Sequence, residues 1–224
     1  MKVGVLVSGR GSNLEAVLDA VAAGRLPGVE PVLVISNRPG VPALAIAERH
    51  GVPTRVMQRA DFVDRAARDA AIGRALAESG AELALLAGYD QLLAGAYFSA
   101  FTGRTINVHP SLLPRHGGAG MMGLAVHASV LAAGDRETGV TIHDVTPELD
   151  QGPPIAQVRV PVRVGETAEE LAARVLVVEH QMVVAVLARL GAEGSGAHLS
   201  ASMTAAPRAR TRPRMTHERH APDA

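Results

Sequence analysis

The sequence contains no cysteine, only one lysine (Lys2), and no net formal charge, its 22 basic residues matching 22 acidic ones. Without cysteine there is no disulfide and no cysteine-rich zinc site, which agrees with a reducing, cytoplasmic setting. Without an excess of positive charge there is no global field to draw in nucleic acid. Long apolar runs are scarce as well. Residues 1–7 begin like a signal peptide, but Ser8-Gly9-Arg10-Gly11 breaks the run before an adequate apolar segment forms. No later stretch reads as a transmembrane span, so no membrane partner is expected. What remains is a chain of 224 residues, 47% hydrophobic, enough for one substantial core and too little for a second full domain.

Short β-rich runs alternate with helical ones, which predicts an α/β fold: a single open, mostly parallel twisted sheet flanked by helices, Rossmann-like in outline. Strands are expected at 3–8, 31–36, 54–57, 83–87 and 105–108, followed by extended segments at 139–144 and 155–162. Helices are expected at 13–23 (closed by Gly24), 43–50 (before Gly51), 62–79 (stopped by Gly80), 124–133 and 168–190. The domain is therefore 1–190. Gly191 to Gly196 resembles a linker, and the polar, proline-interrupted remainder of 191–224 is expected to be a disordered tail. Arg208, Arg210, Arg212 and Arg214 read as its solvated charges rather than a nucleic-acid site.

Chemistry concentrates in Asn107-Val108-His109-Pro110-Ser111-Leu112-Leu113-Pro114 and in Asp150, within Glu148-Leu149-Asp150-Gln151-Gly152. Asn107 and His109 lie two apart at a strand end, so they share a face where Pro110 stops the strand. An amide can donate to a developing oxyanion, an imidazole can move protons near neutral pH, and a carboxylate can hold the imidazolium. That set suits acyl transfer. The bland alternative is a buried strand end with a hydrogen-bonded histidine. His143 could orient the Asp150 loop or be a core histidine, while His116 and His127 read as loop or helix-surface residues. Ser111 reads as a turn or cap residue. Glu179 and His180, adjacent on a helix, point about 100° apart and make no metal pair, so no metal is assigned.

The turn Ser8-Gly9-Arg10-Gly11-Ser12-Asn13-Leu14 admits two readings. Gly11, Ser12 and Asn13 could cradle a phosphate on backbone N–H groups at a helix N-terminus. Alternatively Ser12 and Glu15 form a capping box that uses the same donors. A dinucleotide site fits poorly, because Leu14 stands where that fingerprint needs a small residue and 35–38 offers no ribose-binding acid.

Taken with Gly139-Val140-Thr141-Ile142-His143 and Glu148-Leu149-Asp150-Gln151-Gly152-Pro153, these blocks resemble the folate-dependent formyltransferases over about residues 1–190, in particular the branch that acts on glycinamide ribonucleotide. The resemblance implies a formyltransferase-type fold. It implies transfer of formyl from 10-formyltetrahydrofolate, as co-substrate, to the amine of glycinamide ribonucleotide in purine synthesis. By position it makes Asn107, His109 and Asp150 catalytic and Gly11, Ser12 and Asn13 the phosphate loop. Glu179 becomes the acid at the glycinamide end, and Arg65, Gln91, Leu92 and Leu93 become folate-binding. Gln91 replaces a usual basic residue, Leu176 a usual polar one, and Ala119 and Met122 a usual Lys and Tyr in the loop 115–123, which either closes over the folate or is only a flexible connection. A formyltetrahydrofolate hydrolase and a catalytically silent nucleotide-binding module remain as alternatives. A methionyl-tRNA formyltransferase is disfavoured, because no basic RNA-binding domain follows residue 190.

Overall fold

The computed structural model describes residues 1–196. Its strands are β1 (Lys2–Val7), β2 (Glu30–Ser36), β3 (Thr54–Val56), β4 (Leu83–Leu86), β5 (Arg104–His109), β6 (Glu137–Asp144) and β7 (Pro154–Pro161). Its helices are α1 (Ser12–Ala22), α2 (Pro42–Arg49), α3 (Arg65–Glu78), α4 (Gly95–Ala100), α5 (Leu124–Ala132) and α6 (Ala168–Gly196). The strands form a single seven-stranded sheet in the order β3-β2-β1-β4-β5-β6-β7. The first five are mutually parallel, and β6 and β7 continue the sheet antiparallel, as a hairpin of eight-residue strands. The expected open, mostly parallel sheet is what the chain forms.

Side-chain alternation splits the core into two layers. Val3, Val5 and Val7 of β1 face α1 and α6, whereas Leu6 faces α3 and α4. β4 repeats this, with Leu83 and Leu85 on the first face and Ala84 and Leu86 on the second. Parallel strands covered on both faces need apolar residues throughout, which is why these runs show no polar alternation.

Three differences from the sequence reading have physical causes. Helix α3 begins at Arg65 rather than at Phe62, because Asp64 caps it, accepting from the Ala67 N–H at 2.7 Å. Helix α4 was not expected; at six residues it is too short to show a period. Helix α6 runs to Gly196, through the residues expected to be a linker, while 197–224 of the expected tail lies outside the described residues. The same helix corrects the reading that no segment is long enough to span a membrane. Ala168–Glu193 has 26 residues and contains an 18-residue stretch with a mean hydropathy of 1.7, sufficient by length and composition alone. Here its apolar stripe of Leu171, Val175, Val183, Val186 and Leu187 is buried in the core, against α1 and α5.

Candidate active site

A cavity of about 860 Å³ opens along the carboxyl edge of β1, β4 and β5, with α6 and the loop after β5 forming its other walls. This is the edge at which open α/β sheets bind ligands. Asn107 and His109 reach it together from the end of β5, and Asp150 reaches it from the loop joining β6 to β7.

The hydrogen bonds fix the tautomers. His109 Nε2 lies 2.8 Å from the His116 carbonyl, which can only accept, so Nε2 carries a proton. Nδ1 is then the nitrogen left to work in the site. It faces Asp150 Oδ2 at 3.8 Å, too long for a hydrogen bond in this arrangement. Asp150 sits at φ 55° and accepts from the Gly118 N–H at 2.8 Å, which aims its other oxygen toward His143 Nε2, 3.7 Å away. His143 Nδ1 donates to the Asp144 carbonyl at 2.9 Å. Burial holds the His143 ring below the ordinary histidine pKa, against the weaker opposing effect of that carbonyl. The neutral ring therefore leaves Nε2 bare, and Asn107 Nδ2 donates to it at 3.1 Å. One proton of the Asn107 amide is thereby committed and the second remains for a ligand. His143 acts on Asn107 directly as well as lying beside Asp150.

At the other end of the cavity, α1 is capped by Gly11 at φ 80° with no side-chain cap hydrogen bond. The Ser12–Glu15 capping box is not formed. Glu15 instead pairs with Arg49 of α2 at 3.0 Å, which turns its charge away from the helix end. A Cβ on Gly11 would stand 2.7 Å from the Ala43 Cβ, so the turn requires glycine both for its left-handed backbone and for the approach of α2. Asn13 Nδ2 donates to Glu179 Oε2 at 2.8 Å, while Asn13 Oδ1 is buried without a partner. Burial pushes the Glu179 carboxyl up in pKa, opposed by the Asn13 hydrogen bond and by Arg10.

Residues 1–187 match the family model described as formyl transferase. The chain belongs to the formyl transferase family. It is 36% identical over 187 residues to the phosphoribosylglycinamide formyltransferase of Escherichia coli, covering 84% of this chain and 85% of that one. It is 43% identical over 187 residues to the trifunctional purine biosynthetic protein adenosine-3 of Gallus gallus, of which it spans 18% of the length. Among solved structures, glycinamide ribonucleotide transformylase 1 from Symbiobacterium toebii superposes with a TM-score of 0.80 at 40% identity, covering 87% of this chain and 88% of that one. Phosphoribosylglycinamide formyltransferase from Bacillus halodurans gives 0.81 at 30% identity, covering 89% and 100%.

In this family member the segment after β4 is held from behind by α3. Arg65 does not line the cavity; its guanidinium donates to the Leu92 carbonyl at 2.8 Å. Arg68 and Asp69, 1% and 0% exposed, form a buried pair beneath the same segment. Arg68 donates to Gln91 Oε1 at 2.9 Å, and Asp69 accepts from the Ala94 N–H at 2.9 Å. Gln91 and Leu92 line the cavity, as does Leu93, whose side chain is buried in the core. Asp90 joins this segment to the glycine turn: its carboxylate accepts from Ser8 Oγ at 3.0 Å and Asn37 Nδ2 at 2.7 Å, and its N–H donates to Ser8 Oγ. Those hydrogen bonds keep its pKa below the carboxylate range, against desolvation that pushes it up.

Sequence reasoning missed Arg68 and Asp69, gave Asp90 no role of its own, and misplaced His127; His116 lies in the loop after β5, as expected. His116 is half-buried, its ring bound to Ser129 Oγ and Asp135 Oδ2 at 2.8 Å each, and its carbonyl receives the His109 proton. His127 is 3% exposed and lines the cavity with Nδ1 unpartnered, its pKa lowered by burial and then by His109. Helix α5 is otherwise built of Ala, Val and Leu apart from Ser129, so its sequence cannot distinguish an inner face from an outer one. The charged pair on α3 carried a signal that went unread: two adjacent ionised residues in a helix that must also bury Ile72 and Leu76.

Proposed function

We propose that the chain transfers the formyl group of 10-formyltetrahydrofolate to the amine of glycinamide ribonucleotide, by direct acyl transfer through a tetrahedral intermediate. The observation that carries this reading is the convergence of Asn107, His109 and Asp150 in the cavity that also receives the uncapped turn at Gly11. In this reading Gly11, Ser12 and Asn13 hold the phosphate on main-chain N–H groups. Glu179, oriented by Asn13, holds the glycinamide end. Gln91, Leu92 and Leu93 face the pterin, and Arg65 supports their main chain.

The amine attacks the formyl carbon and the carbonyl oxygen becomes an oxyanion. That oxygen accepts from the free N–H of Asn107 and from Nδ1 of protonated His109, which faces Asp150. The attacking nitrogen loses one proton to Asp150, directly or through a water. The C–N bond to folate breaks as the oxyanion collapses, and the departing folate nitrogen takes up one proton, so no covalent intermediate with the protein is needed.

The test follows release of tetrahydrofolate from 10-formyltetrahydrofolate with and without glycinamide ribonucleotide. Release only with both substrates is the expected result. Release without the amine would make the protein a hydrolase, and no release in either mixture would make it a silent binding module.

A further inference from the structure

The cavity has an unusual charge inventory for a site offered a phosphate ester. Among the described residues that line it, Asp90, Glu148, Asp150, Glu169 and Glu179 are acidic, and Arg10 is the one arginine or lysine. The α6 wall offers no cation, presenting Glu169, Leu176 and Glu179. Arg49 and Arg38 are committed to Glu15 and Asp90 respectively. Main-chain N–H groups and a helix dipole supply only partial charge, about half an elementary charge at a helix N-terminus. A dianion brought beside the buried Glu179 carboxyl needs more than that.

We propose that Arg10 is the phosphate-binding cation of this site and sets its specificity for a phosphorylated substrate. This rests on the reading of the preceding section that the Gly11 turn holds the phosphate. Arg10 occupies the residue immediately before the turn's left-handed glycine, is exposed at the cavity wall, and lies within electrostatic reach of Glu179. Its guanidinium therefore acts, from the residue beside the turn, on the acid that Asn13 orients. It screens Glu179 from the phosphate, and as a planar fork of donors it matches two phosphate oxygens at once. The cation thus comes from the loop, compensating for the apolar Leu176 on α6.

The test compares the wild-type protein with Arg10→Gln and Arg10→Lys, using glycinamide ribonucleotide, its dephosphorylated riboside, and inorganic phosphate as probes. Arg10→Gln is expected to raise KM for the ribonucleotide about tenfold, the loss of one charge-assisted contact at an exposed site, while kcat changes less than about twofold. Inorganic phosphate should raise the melting temperature of the wild type and not that of Arg10→Gln. Arg10→Gln should lose less on the riboside than on the ribonucleotide, and Arg10→Lys should recover part of the loss. An unchanged KM and an unchanged phosphate response in Arg10→Gln would overturn the inference, as would equal losses on ribonucleotide and riboside. If the wild type transfers no formyl group, the proposed activity fails, and the phosphate-dependent melting shift still decides the role of Arg10.

Discussion

Asp150 illustrates how much a single side chain is asked to do. Its left-handed backbone and the Gly118 N–H aim one oxygen at His109 and the other at His143. Asp150→Asn keeps the shape, removes the negative charge that faces His109, and removes the proton acceptor. We expect kcat to fall by about 10²- to 10⁴-fold, the usual range for losing a general acid–base group, with phosphate binding at the distant turn unchanged. Steady-state kinetics beside a phosphate-dependent melting shift measures both, and near-normal turnover would remove Asp150 from the chemistry. The sequence exposed this residue because its neighbours form a motif. Asp90, Arg68 and His127 were opaque because their importance lies in contacts made between segments remote in the chain, such as Asp90 with Ser8 and Asn37.

Among the elements, α6 contributes both to the core and to the cavity wall. One stripe of it buries Leu171, Val175, Val183 and Leu187, and another presents Leu176 and Glu179 to the ligand. Leu187, fully buried and away from the cavity lining, separates these duties. Leu187→Ala should cost about 2–5 kcal/mol of stability by removing transfer free energy and leaving a void. Chemical denaturation measures it, and a KM that stays near wild type would show that the cavity face survives. The start of this helix was legible from composition, but its end was not, because Gly191 to Gly196 contains the residues that ordinarily mark a linker. The direction of β6 and β7 was likewise unreadable, since an extended segment carries no label for the partner against which it will lie.

For the molecule as a whole, three histidines, His127, His143 and His180, have pKa values lowered from 6.5 by burial. The unfolded chain therefore binds protons at a higher pH than the folded one, and stability is lost as pH falls below about 6.5. Glu179 works in the opposite sense: its raised pKa makes stability decline as pH rises from 4.5 toward the folded value. Melting temperatures recorded between pH 7 and pH 5 should fall on acidification, and less steeply in His127→Gln. Identical slopes for the two proteins would refute this account. The parallel core was readable because buried strands are continuously apolar and the helices between them have glycine stops. What could not be read was which histidines end inside, a property of packing rather than of pattern.

Asn107 lies directly opposite His143 where β5 meets β6. Adjacent residues of a strand point to opposite sides of a sheet, so shortening β6 by one residue would present a different side chain to the amide and swing the imidazole away. Such a deletion would leave the sheet assembled and the amide aimless, whereas the span between Val145 and Leu149 could vary in length without disturbing that alignment. Here the arithmetic of residue number within one strand is itself a determinant of turnover.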